Sequence, residues 1–129
     1  MVVDASALLA ILFEEPEWNA FSMALRQAST VSLSPINWYE AAINAERYTE
    51  RDSKALEALI RTIGVRLVPV DETQMRLAYS AWRKYGKGRN RARLNMGDCF
   101  AYALAKHLDE PLLYKGSDFV HTDIASAIP

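Results

Sequence analysis

The chain opens on an apolar run, Met1 to Asp4, that reads as a short buried strand, and from Ala5 to Phe13 it turns to helix formers without a break. Pro16 suits the first turn of a second helix, in which Trp18, Phe21, Leu25 and Ala28 recur at helical spacing. Thr30 to Leu33 predicts the next strand. Ser34-Pro35 interrupts it, and Ile36 to Thr49 predicts a helix with Trp38, Ala41, Ala42 and Ala45 available for an inner face. Asp52 or Ser53 is placed to cap a further helix through Ile63; Gly64 suits its left-handed end, and Val65 to Val70 predicts a third apolar strand. Asp71 and Gln74 stand at capping-box spacing before a helix that runs to about Tyr85. Residues 86 to 93 read as a loop, Asn95 as the cap of a helix from Met96 to about His107, and Pro111 to Tyr114 as a fourth strand. The tail from Thr122 adds a short edge element.

Short apolar strands separated by helix-length segments demand crossover connections. The expected fold is therefore a three-layer α/β/α sandwich with a central parallel sheet. No repeat, low-complexity run or linker divides the chain, so residues 1–129 are expected to form one domain. In such sheets ligands gather at the carboxyl ends of the strands. Asp4 follows strand one, Asp118 follows strand four, and Glu40 and Asp98 lie near helix starts, so the pattern predicts that four carboxylates converge.

Composition adds limits. Half the residues are hydrophobic (50%) and 24% are charged, which suits a chain that folds on its own. Fifteen basic against sixteen acidic residues give no bulk attraction for nucleic acid. The local distribution differs: Arg83, Lys84, Lys87, Arg89, Arg91 and Arg93 are interleaved with Gly86, Gly88 and Asn90. A lone cysteine, Cys99, excludes an intramolecular disulfide and a thiolate zinc cage and fits a reducing compartment, so a cytoplasmic location is expected. The N-terminus has no basic leader, and its apolar stretch soon meets Glu14 and Glu15, which reads as neither signal peptide nor membrane span.

Each of the four acids has a plain explanation on its own, because an acid after a strand or in a first helical turn meets the helix dipole favourably. Together they are harder to explain so. Asp4 sits in an apolar context, Glu40 is flanked by Trp38, Tyr39, Ala41 and Ala42, and Asp98 by Cys99, Phe100 and Ala101. No lysine or arginine stands at regular spacing beside them, and clustered carboxylates are pushed toward protonation unless a cation is present. All-carboxylate ligation selects hard ions, Mg²⁺ or Mn²⁺; with only His107, His121 and Cys99 as softer donors, zinc is disfavoured.

The segments Val2-Val3-Asp4-Ala5-Ser6-Ala7, Asn37-Trp38-Tyr39-Glu40-Ala41, Leu94 to Ala105 around Asn95-Met96-Gly97-Asp98, and Leu113 to Phe119 with Thr122-Asp123-Ile124 resemble the ordered acidic motifs of PIN domains, and most closely those of VapC toxins. The resemblance covers essentially the whole chain, and its third and fourth segments are the specific ones. It implies a metal-dependent endoribonuclease, the toxin of a type II toxin–antitoxin pair, in which Asp4, Glu40, Asp98 and Asp118 bind one or two Mg²⁺ or Mn²⁺ ions. Asp4 and Asp98 would be the central ligands, and Glu40 a ligand or the orienter of the attacking water. Ser6 would support Asp4, Ser117 would serve beside Asp118, and Asp123 would replace or share the fourth ligand position. Read from the residues themselves, Lys87, Arg89, Arg91 and Arg93 are either a grip on RNA phosphates next to the acidic site, a solvated loop or an antitoxin contact, and Gly116 after Lys115 either lets the backbone approach a phosphate or metal-bound water or is a simple turn glycine. A VapB-like antitoxin and a second copy of the chain are the implied protein partners, with an apolar groove expected from Phe13 to Met23 and the helix bearing Tyr39, Ile43 and Tyr48.

Three alternatives compete with this reading. A flap-type DNA nuclease shares the acidic sheet edge but needs DNA-gripping insertions that so short a chain lacks. A receiver-type signalling domain expects an acidic pair after strand one, where Asp4 stands alone. A PIN-like binding module without activity would not need the intact acids.

Overall fold

A computed structural model describes residues 1–129. The elements run β1 (Val2–Val3), α1 (Ala5–Leu12), α2 (Trp18–Gln27), β2 (Ser32–Leu33), α3 (Pro35–Glu46), α4 (Glu50–Ile63), β3 (Arg66–Leu67), α5 (Glu72–Tyr85), α6 (Met96–Leu108) and β4 (Leu112–Leu113), with a 3-10 turn at Phe119–His121. The four strands form one sheet in the order β3-β2-β1-β4, and every pairing is parallel. The tail adds the expected edge contact, a single parallel bridge from Leu112 to Ser126.

Two-residue strands are enough because adjacent strand residues point to opposite faces. Val2 and Leu112 face a core with Ala78, Ala81, Tyr85, Leu94, Tyr102 and Leu104, mainly from α5 and α6. Val3 and Leu113 face the other core, where Leu8, Phe21, Leu25, Ala41, Ala45, Leu56 and Ile60 from α1 to α4 gather. Helices thus cover both sheet faces, giving the α/β/α sandwich. No helix is long and apolar enough to cross a membrane.

Several local expectations need correction. The third strand shrinks to Arg66–Leu67, and both residues are exposed, because β3 is the sheet's edge and Val65 and Val68 are only half-buried. Thr49, not Asp52 or Ser53, caps α4: its hydroxyl accepts from the Asp52 N–H. Pro16 lies in a turn ahead of α2. Asp71 does cap α5, but Gln74 turns its amide to the Pro69 carbonyl, so the box is half made. The reciprocal box forms instead at α6, between Asn95 and Asp98.

Candidate active site

The carboxyl ends of β1 and β4, the middle of α3 and the start of α6 meet around a cavity of about 310 Å³ whose lining includes Asp4, Ser6, Glu40, Asn95, Asp98, Lys115 and Asp118, so Glu40 reaches the site from mid-helix and not from the helix start that the sequence suggests. The four acids drawn from distant parts of the sequence therefore share one hollow. Asp4 ends β1 and caps α1, accepting from the Ser6 N–H (3.1 Å) and the Ser6 hydroxyl (2.5 Å) on the same oxygen. The Ser6 hydroxyl oxygen in turn accepts from the Lys115 N–H at 3.0 Å, which ties the end of β4 to the end of β1. Asp98 is the third residue of α6, held by accepting the Asn95 N–H on Oδ2 (3.0 Å) while Asn95 accepts the Asp98 N–H.

Glu40 comes from the middle of α3, held over Gly97. A Cβ at residue 97 would overlap Glu40 Oε2 and stand 2.8 Å from its Cδ, so the glycine leaves the slot through which Glu40 reaches the cavity. Asn37 sits one turn earlier on the same helix, fully buried, with Nδ2 directed at the Gly97 carbonyl, Asp4 and Glu40. Asp118 stands exposed at the rim, after Gly116, whose φ of +99° belongs to the region that favours glycine.

Burial pushes the Asp4 carboxyl above its usual range despite the opposing Ser6 hydrogen bonds, with the Asp118 charge adding to the rise. Glu40 is raised by burial and then by the charge of Asp4. Asp98, 8% exposed, is pushed up to about 7 by burial against the Asn95 N–H bond, with Asp4, Asp118 and Glu40 adding repulsion. The one ammonium in the lining is turned away: Lys115 is bound by Glu15 and also lies 3.3 Å from Glu17. The hollow thus carries an excess of negative charge with no cation of its own.

As the side chains lie, no three of them stand close enough to hold one ion between them. Asp4 accepts from protein donors on both oxygens and Asp98 on one, each oxygen keeping a further lone pair. The donor set nevertheless fits a hard divalent cation: it is all oxygen, mutually repelling, partly desolvated and free of Cys and His.

Other expected site residues fall elsewhere. Asp123 is not with the acids; it accepts from the Tyr102 phenol (2.6 Å) and pairs with Lys106 (2.9 Å), and the phenol bond holds its pKa below the usual range. Its five-residue offset from Asp118 spans the 3-10 turn, which carries it to the flank of α6. Ser117 is exposed and makes no side-chain hydrogen bond to an acid. Lys87, Arg89, Arg91 and Arg93 are exposed in the loop before α6, and none has an acidic partner within 4.0 Å; Arg89 stacks on Trp82, 4.7 Å from the ring centroid. Asn37 was missed by the sequence reading. The signal was its spacing: Asn37, Ala41 and Ala45 form one buried stripe of α3, and an asparagine there, one turn before Glu40, breaks an apolar pattern.

A family profile described as the PIN domain matches residues 1–125. Ribonuclease VapC30 of Mycobacterium tuberculosis is 44% identical over 131 aligned positions that cover the whole of both chains. Among solved structures, the M. tuberculosis VapC20 toxin, described as cleaving the sarcin–ricin loop, superposes with a TM-score of 0.77 at 17% identity over 99% of this chain and 98% of that one. A toxin–antitoxin complex from Klebsiella pneumoniae gives 0.71 at 16% identity over 99% and 94%. At these identities the two structures speak for the fold alone.

Proposed function

The chain belongs to the PIN-domain family and, within it, to the VapC ribonucleases, and from that premise we propose that it is a divalent-metal-dependent endoribonuclease whose site is the Asp4, Glu40, Asp98 and Asp118 hollow. The observation that carries this reading is the convergence of four carboxylates, three of them raised in pKa, around a cavity whose only ammonium is bound elsewhere.

In this reading Asp4 and Asp98, the most buried of the four, hold Mg²⁺ or Mn²⁺. Asp118 at the open rim serves a second ion or a water-mediated contact. The ion, when bound, supplies acidity to the attacking water and neutralises charge on the phosphate and leaving oxygen. Glu40, fixed over Gly97, orients that water, and Ser6 keeps the Asp4 carboxylate facing the hollow. Lys87, Arg89, Arg91 and Arg93, exposed in the loop that leads into α6, grip the RNA backbone next to the acidic site.

Two protein partners complete the reading. A VapB-like antitoxin is proposed for the side carrying exposed Trp18, Met23, Tyr39, Ile43 and Tyr48. A second copy of the chain is the other protein partner proposed. The compartment proposed is the cytoplasm, where Cys99 remains reduced.

The test is cleavage of a mixed structured-RNA pool by purified, antitoxin-free protein with Mg²⁺, Mn²⁺ or EDTA, beside Asp98→Asn. Defined cuts that need metal and vanish in the variant are expected. Absence of cleavage by folded wild-type protein under every condition would leave an inactive binding module as the better reading.

A further inference from the structure

We propose that Asn37 is a positioning residue for the acidic site, its buried amide clamping the Asp4 and Glu40 carboxylates to the backbone of α6. Asn37 has no exposed surface, and its Nδ2 lies 2.9 Å from the Gly97 carbonyl, 3.4 Å from Asp4 Oδ1 and 3.4 Å from Glu40 Oε2. One NH₂ group thus faces acceptors from the end of β1, from α3 and from α6. The two N–H bonds are shared among three acceptors, with the shortest distance to the backbone. That contact fixes the amide, and the amide then sets the separation of two like charges.

Folding does not explain the choice of asparagine. The residue occupies the apolar stripe of α3 with Ala41 and Ala45, and its Oδ1 is buried with no hydrogen-bond partner. An orphaned buried acceptor costs about 1–3 kcal/mol, which an apolar side chain would avoid. The chemistry of the hollow does explain it. A lysine at this point would neutralise the carboxylates and compete with any cation drawn to them; a leucine would leave Glu40 without a donor and Asp4 with only its Ser6 bonds on Oδ2. A neutral amide donates to carboxylates while leaving their charge in place. Gly97 completes the device, since its missing Cβ lets Glu40 lie where the Asn37 amide reaches it.

The inference rests on the metal-site reading above, and the experiment separates the two. Wild type, Asn37→Leu, Asn37→Ser and Gly97→Ala are compared by thermal melting in EDTA, by Mn²⁺ titration calorimetry, and by kcat and KM on a cleavable RNA. Side chains that orient metal ligands typically control affinity or activity by about 10–100-fold. Asn37→Leu is therefore expected to bind Mn²⁺ more weakly by about that factor and to lose kcat with KM for RNA unchanged, because no atom of residue 37 is accessible to RNA. Gly97→Ala should do the same through Glu40. Wild-type Mn²⁺ affinity and kcat in Asn37→Leu would overturn the clamp and leave the metal site standing. If Asn37→Leu does not fold, unchanged Mn²⁺ affinity in both Asn37→Ser and Gly97→Ala overturns it equally. No Mn²⁺ binding by wild type overturns the metal-site reading and the role of Asn37 with it.

Discussion

The Tyr102 phenol donates to Asp123 across 2.6 Å, and this bond separates two aspartates that lie five residues apart in the sequence. Asp123 is spent on α6, through Tyr102 and through Lys106, whereas Asp118 faces the acidic hollow. Asp123→Asn should therefore keep metal-dependent cleavage and lose about 1 kcal/mol of stability, the usual worth of a partly exposed hydrogen bond and ion pair. Asp118→Asn should do the reverse, lowering cleavage by at least about 10-fold at unchanged stability. Rates and urea midpoints of the two variants decide the matter; inactivation by Asp123→Asn alone would return the fourth ligand position to Asp123.

Asp98 makes the stability of the metal-free protein depend on pH. Its carboxyl titrates near 7 in the fold, mainly because of burial, against about 3.9 in an unfolded chain. The protonated form is thus favoured by folding. Its contribution is fully present below about pH 4 and is lost as pH rises through about 7. Asp4 and Glu40 shift in the same direction. In EDTA, Asp98→Asn should gain stability relative to wild type as the pH climbs from 4.5 to 8, and Mn²⁺ at pH 8 should stabilise wild type far more than the variant. Chemical denaturation across that range tests both statements, and a wild-type-to-variant difference that stays flat with pH would contradict the first.

The architecture was legible because each apolar run had only one way to be buried: Val2, Val3, Leu112 and Leu113 are too short and too apolar for anything but strands covered on both sides. Asp4, Asp98 and Asp118 were legible for a related reason, since a carboxylate after a buried strand or at a helix start lies at the sheet's carboxyl edge, whereas Glu40 reaches that edge from the middle of α3 over Gly97. What sequence spacing could not carry was which side chains meet after the turns. The 3-10 turn after Asp118 decides the fate of Asp123, and the diversion of Lys115 to Glu15 joins residues 100 positions apart. β3 was overread because an edge strand is held by one neighbour only, so the apolar character of Val65 to Val70 did not extend its pairing beyond two residues.

Ser6 joins two strand ends through one hydroxyl, which donates to Asp4 and accepts from the Lys115 N–H. Ser6→Ala leaves a partly buried N–H without its acceptor and removes the shorter of the two bonds that Ser6 makes to Asp4. A loss of about 1–3 kcal/mol of stability is expected from the orphaned donor. Cleavage should fall about 10–100-fold from the freed carboxylate. Ser6→Thr, which keeps the hydroxyl, should restore most of both. Equal losses in Thr and Ala variants would show that space, and not the hydroxyl, is what the site requires.

The loop before α6 gives the last prediction, which concerns RNA affinity and not chemistry. Arg89, Arg91 and Arg93 have no acidic partners, so replacing all three with glutamine removes positive charge without breaking an ion pair, although Arg89 also loses its place over Trp82. For single-stranded nucleic acid each phosphate contact adds about 0.7 to the slope of log affinity against log salt, so three lost contacts should lower that slope by about 2. Binding is best measured with Asp98→Asn protein, which holds RNA without cutting it, across a salt series. A reduced slope with unchanged melting temperature is expected, since the three side chains lie outside both cores. An unchanged slope would free the loop for a protein partner. Weaker antitoxin binding by the same triple variant would then assign the loop to the antitoxin, and unchanged antitoxin binding would leave it a solvated loop.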